Sequence, residues 1–266
     1  MPLDLDMIRA AAPGHEVVVL DRCESTNIEA AKLAAAGCAS GTAVVAEEQT
    51  AGQGRYRRVW YSERESGLYV SFVLRLGIGG ESVPALSMAL GLAAAEAIAR
   101  ATDVRPDLRW PNDVMLGGKK CAGVLVQNEK GEKGDRRLFP GEKASVPFFI
   151  AGIGINVNHE ALAPELEATS LRMETGRPQS RELVLIHLLD TVTSFTRMLA
   201  EGGREPVLAM FTRASSYVKG KRVKVEIGGE EIEGVTDGLD DAGFLRVLRP
   251  DGTRTTILAG GVRPCS

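Results

Sequence analysis

"LRWPNDVMLGGKKCAG", residues 108–123, is the stretch on which the fold turns. Pro111 disfavours helix at the residue before it, and Asn112-Asp113 suits a tight turn. That turn is expected to end a short strand and to expose its polar side chains. Gly117-Gly118 then turns the chain back. Lys120 stands at the entrance to an apolar strand, "CAGVLVQN" (121–128). A lysine there is costly unless an anion pairs with it or its ammonium snorkels to water.

Outward from this stretch, strand-like and helix-like blocks alternate. "EVVVL" (16–20), "TAVVAEE" (42–48), "GLYVSFVLRL" (67–76) and "FFIAGIGINV" (148–157) are β-branched or apolar runs that predict strands. "STNIEAAKLAAAG" predicts a helix, with Thr26 and Glu29 at capping-box spacing and Gly37 at its stop. Further helices are expected near 83–101, 181–201 and 204–217. The polar, turn-rich segment before "FFIAG" is expected to be a long surface loop. After Tyr217 the pattern becomes short alternating strands between Gly-Gly, Asp-Ala-Gly and Asp-Gly turns, a small meander or barrel of roughly four or five strands. Under 50 residues of this kind would be marginal alone, so it is expected to pack on the main domain. The domain boundaries expected are 1–217 and 218–266.

The bulk properties narrow the function. Length is 266 residues, with 44% hydrophobic and 25% charged, an ordinary globular balance. The net charge of −3 supplies no overall basic field for nucleic acid, so any anion site must be local. Cys23, Cys38, Cys121 and Cys265 have no CxxC or zinc-type spacing and suit a reducing, cytoplasmic setting. The acidic N-terminus has no signal-peptide pattern, and the alanine-rich "VPALSMALGLAAAEAIARA" carries Glu96 and Arg100, so a buried helix is expected there rather than a membrane span. His15, His159 and His187 lack ligand-like partners, and HExxH, GxSxG and EF-hand patterns are absent from the sequence.

A second stretch carries chemistry. "EEQTAGQGRYRRVW" (47–60) sets two glycines among three arginines between apolar runs, the composition of a loop that closes over an anion. Its GxG is not the dinucleotide fingerprint, since no third glycine opens a helix. The same holds for "GIGIN" (152–156), whose glycines permit close approach by packing or by a flat ligand. Ser25, Thr26 and Asn27 are a helix cap on one reading and a polar-ligand site at a helix N-terminus on the other.

In order, STN, EEQTAGxGRxRRxW, WPND, K(x)AG with its lysine eight residues after Asn112, GIGINVN and a small β-domain resemble the biotin protein ligases. The resemblance runs from about residue 20 to the end. It implies an α+β fold: a mixed sheet with flanking helices of the class II synthetase-like type, plus a small C-terminal SH3-like β-barrel. It implies the short, monofunctional type, because only some twenty residues precede the matching part and a DNA-binding domain would need about sixty.

The activity implied is activation of biotin by ATP and Mg²⁺ to biotinyl-5′-AMP, then transfer to a lysine of a biotin carboxyl carrier domain, as in acetyl-CoA or pyruvate carboxylase. Ser25, Thr26, Asn27 and Gln49 match residues that hold biotin. Gln53, Gly54 and Arg55 match the loop over biotin and the adenylate. Arg58, Trp60, Asn112, Asp113 and Asn156 fall on the nucleotide side, with Asp113 also matching a magnesium position beside the ATP phosphates. Lys120 matches the shared lysine, which with Arg55 neutralises charge in the reaction. The family loop is usually GRGRRGR, whereas Gln53 replaces its first arginine and Arg57 its last glycine; Arg109 stands where lysine is usual before the tryptophan. Neither nucleic acid nor membrane is implied as a partner, and monomer or homodimer both fit. The alternatives are a lipoate or octanoate ligase of the same fold, whose RR-x-S-GGG signature is absent here, and a degenerate biotin-binding regulator.

Overall fold

The computed structural model describes residues 2–129, 148–227 and 230–265. In chain order the elements are α1 (Leu5–Ala11), β1 (Val17–Leu20), α2 (Thr26–Ala35), β2 (Ala43–Ala46), β3 (Gly67–Leu74), α3 (Val83–Thr102), β4 (Asp107–Arg109), β5 (Asp113–Leu116), β6 (Lys119–Glu129) and β7 (Phe148–Asn156). They continue with α4 (Leu171–Thr175), α5 (Arg181–Gly202), α6 (Arg204–Ala214), β8 (Lys219–Ile227), β9 (Glu230–Leu239), β10 (Leu245–Leu248), β11 (Arg254–Ile257) and β12 (Val262–Pro264). The expected strands and long helices are present. The predicted surface loop between β6 and β7 lies outside the described residues. Helix α1 was not foreseen: Asp4 caps it by accepting from the Met7 backbone N–H, a start signal present in the sequence.

Seven strands form one mixed sheet in the order β1-β2-β3-β7-β6-β5-β4. Only β1 and β2 pair in parallel, with α2 as their crossover; every other neighbour in this sheet is antiparallel, and β4–β5 and β5–β6 are joined by short turns. The three long central strands obey strict alternation. Leu68, Val70, Phe72 and Leu74 of β3, with Phe149, Ala151, Ile153 and Ile155 of β7, enter the main core with α3 and α5. The opposite face is divided. Val44, Val73, Phe148 and Ile150 lie beneath Ala30 and Ala34 of α2 in a second, smaller core. The rest of that face lies beyond this small core, beneath the segment before β3, and holds the site.

The C-terminal strands form a separate antiparallel sheet, β11-β10-β9-β8-β12. The expected small C-terminal β-domain of five strands is therefore present; its end strands β11 and β12 do not pair with each other among the described residues, so the sheet is not closed. Val218, Val223, Val225, Leu245, Val247 and Ile257 join the main core, as expected for strands too few to stand alone. The Trp110 Nε1–H donates to the Gly243 carbonyl at 2.9 Å and ties the two sheets at the tryptophan of WPND.

One buried group makes stability pH-dependent. His159 is buried, and neither ring nitrogen has a hydrogen-bond partner among the described residues. Burial lowers its pKa below the ordinary 6.5, with Glu63 opposing more weakly. The unfolded chain therefore takes the proton first, so stability is complete above 6.5 and falls as pH drops through it. Urea midpoints should decline as pH falls below the ordinary imidazole value of 6.5, and His159→Phe should flatten that decline. An unchanged slope in the variant would show that other groups set it.

Candidate active site

This part of the large sheet is a strip of alternate residues across three strands. Ser71 faces Gly152, and Tyr69 faces Gly154, which in turn faces Gly123. On this strip the alternation continues, but glycine takes the place of the apolar residue. The absent side chains are what the overlying groups occupy. A Cβ on Gly154 would meet the Trp60 indole, one on Gly152 would meet the Asn27 side chain, and one on Gly123 would lie 2.8 Å from Lys120 Nζ. The glycines of GIGIN thus permit close packing of site residues, the first of the two possibilities left by the sequence.

Above the strip lies a cavity of about 510 Å³, within the range of small-molecule sites. All thirteen residues singled out from the sequence line it: Ser25, Thr26, Asn27, Gln49, Gln53, Gly54, Arg55, Arg58, Trp60, Asn112, Asp113, Lys120 and Asn156. They come from the start of α2, the segment before β3, the β4–β5 turn and β6–β7. Sequence separation hides this convergence completely.

One end is a network of neutral polar groups. Ser25 precedes α2 and makes no side-chain cap bond, and Thr26 is the first helical residue, so the predicted capping box does not form. The Thr26 backbone N–H donates instead to Gln49 Oε1 at 2.8 Å, and its hydroxyl lies 3.1 Å from the same oxygen. The Gln49 amide donates to Ser62 Oγ at 2.8 Å. Ser71 Oγ lies 2.7 Å from Thr26 Oγ1 and 2.6 Å from Asn27 Oδ1, and the Asn27 amide donates to Gln127 Oε1 at 2.6 Å. Ser62, Ser71 and Gln127 were missed from the sequence. Ser71 had a signal, since it is the one polar residue within the apolar run of β3.

The other end is ionic. Asn112 and Asp113 turn inward rather than outward, contrary to the expected exposed turn: Asn112 is 9% exposed and donates to the Val124 carbonyl at 2.8 Å. Lys120 Nζ lies 2.6 Å from Asp113 Oδ1, and Arg109 Nη2 lies 2.8 Å from Asp113 Oδ2. The anion that makes Lys120 tolerable in its strand is therefore Asp113. Burial pushes the Asp113 carboxyl up, but Lys120 and Arg109 outweigh burial and hold it below the usual carboxylate range. Lys120 also sits 5.4 Å from the Trp60 ring centroid. Asn156 donates from Nδ2 to the Thr169 carbonyl at 3.0 Å.

The arginine-rich loop is a small hairpin over this end. Trp60 N–H donates to the Gly52 carbonyl at 2.9 Å and Gly54 N–H to the Arg58 carbonyl at 2.8 Å. At its tip Tyr56 and Arg57 both have φ of 57°, the left-handed region. That explains why a glycine suits position 57 in the family pattern. Arg55 Nη1 donates to Asn112 Oδ1 at 3.1 Å. Gly260, Gly261, Val262 and Arg263 of the C-terminal domain complete the wall. Cavity cations (Arg55, Arg58, Arg109, Lys120, Arg263) outnumber the carboxylates (Asp113, Glu165, Glu167), so the site is locally positive in a chain of net charge −3.

Magnesium finds no cage of protein ligands here. The described residues contain no group of three or more His, Cys, Asp or Glu able to hold a metal, and both Asp113 oxygens already face cations. A site for anions is what the donor set fits.

Residues 19–138 match the Biotin/lipoate A/B protein ligase family, and residues 219–262 match the Biotin protein ligase C terminal domain. The chain is 33% identical over 253 residues to a biotin–[acetyl-CoA-carboxylase] ligase of Paracoccus denitrificans, covering 92% of this chain and 98% of that one. It is 30% identical over 265 residues to the enzyme of the same name from Mycobacterium tuberculosis, covering 96% and 91%. Among solved structures it resembles the biotin protein ligase of Aquifex aeolicus in complex with biotin and ATP, with a TM-score of 0.77, 30% identity and coverage of 94% and 99%.

Proposed function

The chain belongs to the biotin protein ligase family, and from that premise we propose that it activates biotin as biotinyl-5′-AMP and transfers it to a lysine of a biotin carboxyl carrier domain. The observation that carries the reading is the convergence of all thirteen sequence-matched residues on one cavity with a neutral polar end and a cationic end. Biotin's ureido ring suits the network of Ser25, Thr26, Asn27 and Gln49, and MgATP suits the end held by Arg55, Lys120 and Asn156. Magnesium comes as the counterion of ATP; to ligate it, Asp113 would have to release Lys120 or Arg109. The C-terminal match to biotin ligases, and not only to the combined biotin/lipoate family, favours biotin over lipoate.

In the first step a biotin carboxylate oxygen bonds to the α-phosphorus of ATP, and the α–β bridging oxygen leaves with pyrophosphate. A carboxylate needs no general base, so the protein's contribution is alignment and charge stabilisation by Lys120 and Arg55. In the second step the acceptor lysine amine attacks the acyl carbon, AMP leaves and the amine sheds a proton. Water attacking the same carbon would return biotin and AMP, so the hairpin over the cavity must exclude it.

Incubation with biotin and MgATP should yield biotinyl-AMP and pyrophosphate by mass spectrometry, while lipoate should yield no adenylate. Adenylate from lipoate alone would reverse the substrate assignment. Residues 51–58 concentrate like charges, so their backbone hydrogens should exchange markedly more slowly once biotin and ATP supply an anion than in the unliganded protein. Equal exchange in both states would rule out a closing loop.

A further inference from the structure

Tyr56 is the residue of the hairpin that reaches the C-terminal sheet. Its hydroxyl accepts from the Gly260 backbone N–H at 2.8 Å and from Arg55 Nη2 at 3.2 Å. The Arg55 guanidinium lies 5.1 Å from the Tyr56 ring centroid. Arg55 donates from its other terminal nitrogen to Asn112, which is anchored on the Val124 carbonyl of β6. One hydrogen-bonded chain therefore crosses the cavity mouth, from Gly260 through Tyr56, Arg55 and Asn112 to the central sheet. A phenolic oxygen can accept both bonds while keeping its own proton.

Two further observations show that this hydroxyl does more than decorate the surface. The Tyr56 side chain is not held by packing, since the residue is 60% exposed. Its backbone and that of Arg57 occupy the left-handed region, which non-glycine residues hold only where surrounding contacts impose it. The bond to Gly260 is a contact of that kind, and it reaches across from another sheet.

We propose that Tyr56 is a positioning residue, whose hydroxyl fastens the hairpin to Gly260 and aims Arg55 across the cavity so that the acyl-adenylate is retained. The inference rests on the ligase reading, which supplies the adenylate. Its chemistry adds no step: the hydroxyl neither gives nor takes a proton, and it acts through Arg55 and through the closed geometry of the loop.

The test uses the full chain and Tyr56→Phe, which keeps the ring beside Arg55 and removes the acceptor. In the unliganded protein the Gly260 amide should exchange faster in the variant, a local readout independent of activity. With biotinyl-AMP formed in place and no acceptor present, loss of the adenylate by escape and hydrolysis should accelerate about fivefold or more, the scale of a lost hydrogen bond. The single-turnover rate of adenylate formation should fall by less, and the melting temperature should stay close to wild type because the side chain is exposed. Unchanged Gly260 exchange, or unchanged adenylate loss in Tyr56→Phe, would overturn the proposal. Failure of the wild-type protein to form any adenylate would instead overturn the ligase reading, and the Gly260 exchange would still decide whether the clasp exists.

Discussion

Lys120→Ala is expected to lower single-turnover adenylate formation by roughly 10²-fold or more, the usual scale for deleting one preorganised charge donor. Negative charge on the α-phosphoryl oxygens is redistributed as the carboxylate approaches and pyrophosphate departs. Lys120 stands fixed for this, held by Asp113 at 2.6 Å and lying beside the Trp60 ring. Biotin carries no charge that must sit at that phosphate, so biotin affinity should fall by a much smaller factor. Lys120→Arg should restore only part of the rate, because a planar fork replaces a compact ammonium. Lys120→Ala also leaves Asp113 with Arg109 alone, so burial weighs more heavily and its carboxyl should titrate higher than in the parent protein. Pyrophosphate release under single-turnover conditions, beside biotin calorimetry, makes the comparison. Wild-type release from the alanine variant would end the assignment.

Gly154→Ala should be nearly as damaging, although it removes no functional group. The added methyl would occupy the space of the Trp60 indole, so the ring must move, and with it the surface on which Lys120 rests. A displacement of about 1 Å in a catalytic arrangement can cost on the order of 10²-fold. Gly152→Ala offers the contrast, since its methyl would strike Asn27 in the neutral polar network. The expected pattern is a loss concentrated in ATP use for Gly154→Ala and in biotin affinity for Gly152→Ala. Trp60 and the buried Trp110 are the chain's two tryptophans, so fluorescence can report the ring's displacement. Indistinguishable biotin and ATP parameters in the two variants would show that the strip does not divide the cavity in this way.

Much of this architecture was legible in the residues. β-Branched and apolar runs placed β1, β2, β3, β6 and β7, because strands with cores on both faces bury nearly every side chain. The β4–β5 hairpin followed from Pro111 and Asn112-Asp113, since local backbone restrictions act whatever surrounds them. Helix α1 carries an equally local signal in its Asp4 cap, but at seven residues it shows too little periodicity to stand out from the sequence. The resemblance singled out thirteen residues that the fold brings to one cavity, but it could not show that Thr26 bonds Gln49 rather than capping its helix, because that choice depends on a partner 23 positions away.

The sequence by itself determined where strands, turns and helices fall, for these follow from side-chain periodicity and backbone preference among near neighbours. Tertiary structure alone decided that Asp113 is the counter-anion of Lys120, and that Gly123, Gly152 and Gly154 align into a floor for Trp60 and Asn27. It alone placed Gly260 within reach of Tyr56. Each of these depends on the pairing of strands distant in the chain, or on the packing of one sheet against another. A hydrogen bond or ion pair acts over about 3 Å, so it is fixed only when the register of those strands is fixed.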